Sequence, residues 1–173
     1  MYKPSAICDS SVLIIFAKTG HLTLLLQAFQ KPLLIEETVY QEVIEKGIAR
    51  KARDAEIIQQ RINSLEINVK RASRIFEIPS SDAGEEATIS LSIEEKPDFV
   101  AIDDHQGRVF AKRFNLVPIG SLGILKLLLK NKIIGRKQAL EILSDLLKVD
   151  YRISSKLLEE FKQAVEKNSD FLP

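Results

Sequence analysis

A single cysteine, Cys8, occurs among the 173 residues, which excludes a disulfide framework and any zinc site built from thiolates. A reducing interior suits such a chain. Charge of one sign is lacking as well: 25 Lys and Arg face 24 Asp and Glu, a formal net charge of +1. Overall charge therefore recruits no partner, and only local basic stretches can present a positive face. Long apolar runs are missing too. The opening "MYKPSAICDSSVLIIFAKTG" is interrupted by Asp9, Ser10 and Ser11, and no run reaches the roughly 18 residues of a membrane span. The expectation is a soluble, cytoplasmic protein with no membrane partner. The sequence holds no internal repeat, low-complexity tract or long linker. Its 45% hydrophobic and 28% charged residues suffice for one globular domain around a single sizeable core.

Along the chain, "SAIC" reads as a buried strand at 5–8, followed by a turn at Asp9 to Ser11 and a helix opening near Val12, with Ser10 or Ser11 as its cap. A helix over "HLTLLLQAF" precedes a strand at 32–35. In "ETVYQEVIEKG", Thr38 and Gln41 make a capping box and Gly47 a stop, which predicts a helix over about 39–46. A polar helix over "ARKARDAEIIQQRINS" and an edge strand in "LEINV" follow. The pattern then predicts a helix at 83–94, a strand at 98–102, a helix at 105–114, a strand in "LVPIG", and helices near 121–130, 137–147 and 154–166. Parallel neighbours need crossover connections, so strand–helix alternation up to residue 120 implies a mainly parallel central sheet with helices on both faces. The expected architecture is a three-layer α/β/α sandwich. Residues 1–173 form one domain in this reading, with 131–173 a helical C-terminal extension packed on it.

Two strands end in the same way. "SAIC" stops at Asp9 and "FVAI" at Asp103, and in a parallel sheet both carboxylates emerge at the edge where ligands sit. A lone Asp after a strand is more often a turn or cap residue; two at one edge point towards a site. On a 100° wheel, Val39, Tyr40, Val43 and Ile44 define an apolar arc with Glu42 at its margin and Glu45 further round. Glu42 can reach the sheet edge, or it is simply a solvated flank. Glu85 and Glu86 flank Ile89 and Ile93 on either side, so periodicity does not choose between them. Asp82 and Glu85 also fit a reciprocal capping pair. Asp104 is placed to cap the helix beginning at His105.

Together, Asp9, Glu42, Glu85 or Glu86, and Asp103 make an oxygen-only cluster. Such carboxylates about 4 Å apart repel by about 1 kcal/mol per pair in water and about 4 at an intermediate dielectric. A hard divalent cation removes the conflict, and Mg²⁺ or Mn²⁺ suits these oxygens. Attack of a metal-activated water on a phosphodiester is the chemistry then available.

The ordered set "ICDSSVLI", "VYQEVIEKG", "DAGEEATIS", "VAIDDHQGRVFAK" and "VPIGSLGILKLLLKNKII" resembles the PIN-domain family over about residues 5–130. More narrowly, it is similar to a prokaryotic subgroup akin to VapC-type toxins, with a Gly-Glu helix start and an Asp-Asp-x-x-Gly-Arg block. The resemblance implies a PIN-like sandwich and a metal-dependent ribonuclease. It also implies that Asp9, Glu42, Glu85 and Asp103 are the catalytic and metal-holding carboxylates. Ser11 matches a hydroxyl supporting the first aspartate, and Asp104 the second acid of its pair. Related sequences often read Gly-Glu-x-Glu-Ala where this one has Gly84-Glu85-Glu86-Ala87, which keeps Glu86 in view as a supporting acid or as the third ligand. The partners implied are an RNA substrate and a small antitoxin, and a homodimer is allowed.

Between Lys46 and Arg74 stand eight Lys or Arg against three acids, and between Lys126 and Lys137 five basic residues stand with no acid. Positive stretches near an acidic site offset phosphate repulsion, although solvated helix faces read the same way. Arg108, one turn after Asp103, is placed to meet an RNA phosphate or to make a salt bridge. His105 has no need to serve as a base where carboxylates and a metal do so. Tyr40 and the eight Phe residues form no basic-aromatic strip, so base stacking is not indicated. Two other classes compete. A phosphoacceptor signalling domain needs an isolated Asp after a central strand, which "PLLIEE" does not supply, and a catalytically silent binding module would keep the fold alone.

Overall fold

The computed structural model describes residues 3–79, 81–149 and 151–167. Five short strands, β1 (Ala6–Cys8), β2 (Leu33–Glu36), β3 (Ile67–Lys70), β4 (Phe99–Ala101) and β5 (Pro118–Ile119), form one sheet in the order β3-β2-β1-β4-β5. Every pairing is parallel, with Ile7 beside Leu34 and Cys8 beside Ala101. The chain winds outward from β1 through β2 to β3, then crosses back to β4 and β5. The order therefore reverses between β1 and β4, the position at which open parallel sheets bind ligands beyond their strand ends.

Side chains along β1 alternate between two apolar layers. Ala6 and Cys8 join the main core, whereas Ile7 faces Leu91 and Ala72 on the opposite side. The first face is covered by α1 (Ser10–Lys18), α2 (Leu22–Ala28), α5 (Arg53–Asn63) and α8 (Ser121–Lys130). The second is covered by α6 (Ala83–Glu95), which also contacts α7 (His105–Arg113). The result is the expected three-layer sandwich. The C-terminal helices α9 (Arg136–Lys148) and α10 (Ser155–Lys167) send Ala139, Ile142, Leu143, Leu146, Phe161 and Val165 into the first core. Residues 168–173 of the expected extension lie outside the described residues. Among the described residues, no helix is long and apolar enough to cross a membrane.

Three local expectations are corrected. First, α1 is capped by Asp9, not by Ser10 or Ser11, because the Asp9 carboxylate accepts from the Ser11 amide and the helix starts two residues earlier, at Ser10. Second, the capping box at Thr38 does not form. β2 runs straight into α3 (Glu37–Tyr40), so the cap moves onto the strand's last residue, Glu36, whose buried carboxylate accepts from the Thr38 amide at 2.5 Å and the Ala72 amide at 3.1 Å. Third, Gly47 does not stop the helix. It continues through a π turn at Gln41–Glu45 into α4 (Lys46–Ala49), and a Cβ on Gly47 would sit 2.6 Å from Ala55 Cβ. The glycine is there for close approach to α5.

Candidate functional site

Asp9 and Asp103 leave adjacent strands at the switch point, where the Asp9 amide bonds to the Ala101 carbonyl at 2.9 Å. Asp9 is buried, at 2% exposure. Its Oδ2 accepts from the Ser11 hydroxyl at 2.7 Å and amide at 3.2 Å, and its Oδ1 from the Thr88 hydroxyl at 3.4 Å. Asp103 is held by the start of α8: Oδ1 accepts from the Ser121 amide at 2.8 Å, and Oδ2 from the Ser121 hydroxyl at 2.6 Å. A third donor, the Tyr151 hydroxyl, reaches Oδ1 at 3.3 Å. Gly120 makes this geometry possible, since a Cβ there would lie 2.9 Å from Asp103 Oδ1 and 3.2 Å from Arg108 Nη1.

The other acids come from the π turn and from the starts of α6 and α7. Glu42 lies inside the π turn, and its Oε2 occupies the space a Gly84 Cβ would need, 2.5 Å away. Asp82 caps α6 by accepting from the Glu85 amide at 2.9 Å, and Asp104 caps α7 by accepting from the Gly107 amide at 2.8 Å. A Cβ on Gly107 would run into Ile102 and approach the Glu85 carboxyl carbon to 3.6 Å. The bare glycine thus lets the starts of α6 and α7 meet. Glu85 is buried there, whereas the Glu86 carboxylate accepts from the Ile78 amide at 2.8 Å and ties down the loop before α6.

Asp9, Glu42 and Glu85 are coupled electrostatically to one another or to Asp82 and Asp104, whereas Asp103 answers mainly to its own burial and donors. Burial raises Asp9, Glu42, Glu85 and Asp103 above the usual carboxylate range. Mutual repulsion adds to it: Asp82 lifts Glu42, and Asp104, Asp82 and Asp9 together help push Glu85 up to about 7. The Ser121 donors and the Arg108 charge pull Asp103 back only in part. Behind them Cys8 is fully buried and its thiol is pushed well up, chiefly by burial, so it is inert.

The donor set is carboxylate oxygen throughout, partly desolvated and in part self-repelling, which fits a hard divalent cation. Among the described residues, no group of three or more His, Cys, Asp or Glu side chains converges closely enough to cage such an ion. A cation that keeps several waters and takes one or two carboxylates needs no cage.

From Asp103 and Arg108 a groove of about 1270 Å³ runs between α1 and α8 towards α10, with Lys18, Lys126, Lys130 and Arg152 among its lining residues and Tyr151 at its acidic end. Lys126 and Lys130 belong to the second basic stretch; none of the basic residues between 46 and 74 lines it. His105 is exposed at the start of α7.

Asp9, Glu42, Glu85 and Asp103 are therefore brought to one crevice, with Ser11, Asp104 and Arg108 beside them. Sequence reasoning missed Asp82 as a member of the cluster, and it missed Ser121 and Tyr151. The "PIGS" step from β5 into α8 carries a signal for Ser121. Tyr151, reaching the site from 48 positions along the chain, carries none.

A family model described as a PIN domain (DUF3368) matches residues 5–167. The chain belongs to the PIN-domain family. No curated protein and no solved structure matches it. The PIN domain is a nuclease fold, and its matched span here runs beyond residue 130 to take in α9 and α10.

Proposed function

We propose that this PIN domain is a Mg²⁺- or Mn²⁺-dependent endoribonuclease, hydrolysing RNA phosphodiesters as the toxin component of a cytoplasmic toxin–antitoxin pair. One observation carries the reading: Asp9 and Glu85 are buried, Glu42 and Asp103 half-buried, and desolvation holds all four above the ordinary carboxylate range, with repulsion from neighbouring acids adding to it at Asp9, Glu42 and Glu85, an arrangement that favours a divalent cation over an empty site. When bound, the cation supplies an activated water and offsets charge on the leaving oxygen. The chain's own residues do the rest. Ser11 and Ser121 hold the two strand-end aspartates in register. Arg108 neutralises a phosphate brought against Asp103, and Lys126 and Lys130 line the path along which an RNA strand reaches it. Asp104 caps α7 and sustains the acidic field around Glu85. The partner expected besides RNA is a small antitoxin protein.

The test is cleavage of single-stranded RNA by purified protein with Mn²⁺ against excess EDTA, in parallel with calorimetric titration of Mn²⁺ into the parent and Asp9→Asn. Undiminished cleavage in EDTA refutes the metal mechanism. Mn²⁺ binding without cleavage of any RNA supports a silent PIN module instead. The toxin role requires growth arrest on expression, relieved by the product of a neighbouring small reading frame.

A further inference from the structure

Each strand-end aspartate offers about four lone-pair sites, and three on each are already used. On Asp9, Ser11 fills Oδ2 twice and Thr88 takes one site on Oδ1. On Asp103, Oδ1 is filled by the Ser121 amide and the Tyr151 hydroxyl, and Oδ2 accepts the Ser121 hydroxyl. One site remains on each carboxylate, so neither can grip a cation with both oxygens. On Asp103 this restriction is completed by a residue of the C-terminal helical segment. Tyr151 reaches the start of α8, where its hydroxyl donates to the same Asp103 Oδ1 that accepts the first amide of that helix.

Cations differ in what they ask of a carboxylate. Mg²⁺ demands a near-ideal octahedron, keeps waters and takes single oxygens, whereas Ca²⁺ is larger and readily accepts bidentate carboxylates. We propose that Tyr151 is a positioning residue that sets cation selectivity, by occupying Asp103 Oδ1 and restricting the site to single-oxygen contacts. The inference rests on the metal-site reading above and assigns the helical segment a part in the site's chemistry as well as in core packing.

The experiment is calorimetric titration of Mg²⁺, Mn²⁺ and Ca²⁺ into the full chain and into Tyr151→Phe, which keeps the ring and removes the hydroxyl. Because the chain has no Trp and only three Tyr, tyrosine emission gives a second readout, independent of activity. In the parent, cation binding changes the emission of a tyrosine bonded to a site carboxylate; in Tyr151→Phe that change is lost. Ca²⁺ affinity relative to Mg²⁺ is expected to rise about tenfold in the variant, the scale of one charge-assisted hydrogen bond. A merely structural tyrosine would weaken all three cations together and leave their ratio fixed, and that result overturns the proposal. Ser11→Ala, which frees one site on Oδ2 of Asp9 beside the open site on Oδ1, is expected to move the ratio the same way and keeps the test open if Tyr151→Phe fails to fold. Parent protein that binds none of the cations refutes the metal reading itself; binding with an unchanged ratio in both variants refutes only the role of Tyr151.

Discussion

Glu85 offers the sharpest perturbation, because its environment opposes its charge from several sides. Burial comes first, followed by Asp104, Asp82 and Asp9, and together they raise it from 4.5 to about 7. A carboxyl whose folded-state value is raised binds more protons in the native than in the unfolded chain between those limits, so stability falls as pH climbs through the window. At 1.36 kcal/mol per unit, the metal-free protein loses about 3 kcal/mol between pH 4.5 and 7, an upper figure because solvent reaching the crevice screens part of it. Glu85→Gln removes the titration. Its buried amide costs about 1–3 kcal/mol where unpaired, but that cost does not vary with pH. The quantity to measure is therefore the pH slope. Urea unfolding of parent and variant in excess EDTA is expected to show a difference that moves in favour of Gln by about 2–3 kcal/mol from pH 4.5 to 8 and then levels off. A constant difference across that range refutes the coupling of Glu85 to the cluster. Adding Mn²⁺ is expected to restore the parent's stability at high pH by mass action, and to do so far less for the variant.

Asp103→Asn is expected to lower Mn²⁺ affinity about 10- to 100-fold, while Asp104→Ala lowers unfolding stability by about 0.5–2 kcal/mol and leaves Mn²⁺ titration largely unchanged; the reverse pattern reverses their roles. Gly84→Ala improves helix propensity by about 1 kcal/mol but intrudes on Glu42, so thermal unfolding is expected to hold or rise as Mn²⁺ affinity falls. Glu36→Ala strips the cap of α3 and leaves the buried Ala72 amide unpaired, which is expected to cost about 1–3 kcal/mol in denaturant titration without altering Mn²⁺ binding.

The parts of the site legible in sequence are those where local chemistry and fold agree. A short apolar run followed by Asp defines a strand end, and two such runs in an alternating chain fall at one edge, so the positions of Asp9 and Asp103 are legible from the sequence. Asp104 was readable as a cap because its partner amide, Gly107, lies three residues on. Glu42 stood at the margin of a wheel drawn at α-helical pitch, but it sits in a π turn, where that pitch does not apply. The different surroundings of Glu85 and Glu86 depend on Gly107 and Ile78, which no helical wheel of α6 contains. Glu36 eluded the reading because a strand that runs directly into a helix has no separate cap residue. Tyr151 eluded it because nothing near residue 151 encodes Asp103.

Most of the acids in the crevice also secure a helix. Asp9 caps α1, Asp82 caps α6, Asp104 caps α7, and Asp103 takes the first amide of α8. Four helix N-termini, each carrying partial positive charge, therefore point at one place. That is why so many carboxylates can gather at one crevice without a lysine among their hydrogen-bond partners. The compensation is incomplete: even with these amides and the Arg108 charge, burial still holds Asp9 and Asp103 above their ordinary range. The remaining imbalance cannot be relieved by stronger capping, because amides at a helix start are fixed in number. A mobile divalent cation relieves it without refolding anything. Under the proposed function, the same carboxylates hold the scaffold together in the metal-free chain and would serve as ligands to a bound cation, which would tie the stability of this PIN domain to cation binding through the starts of its helices.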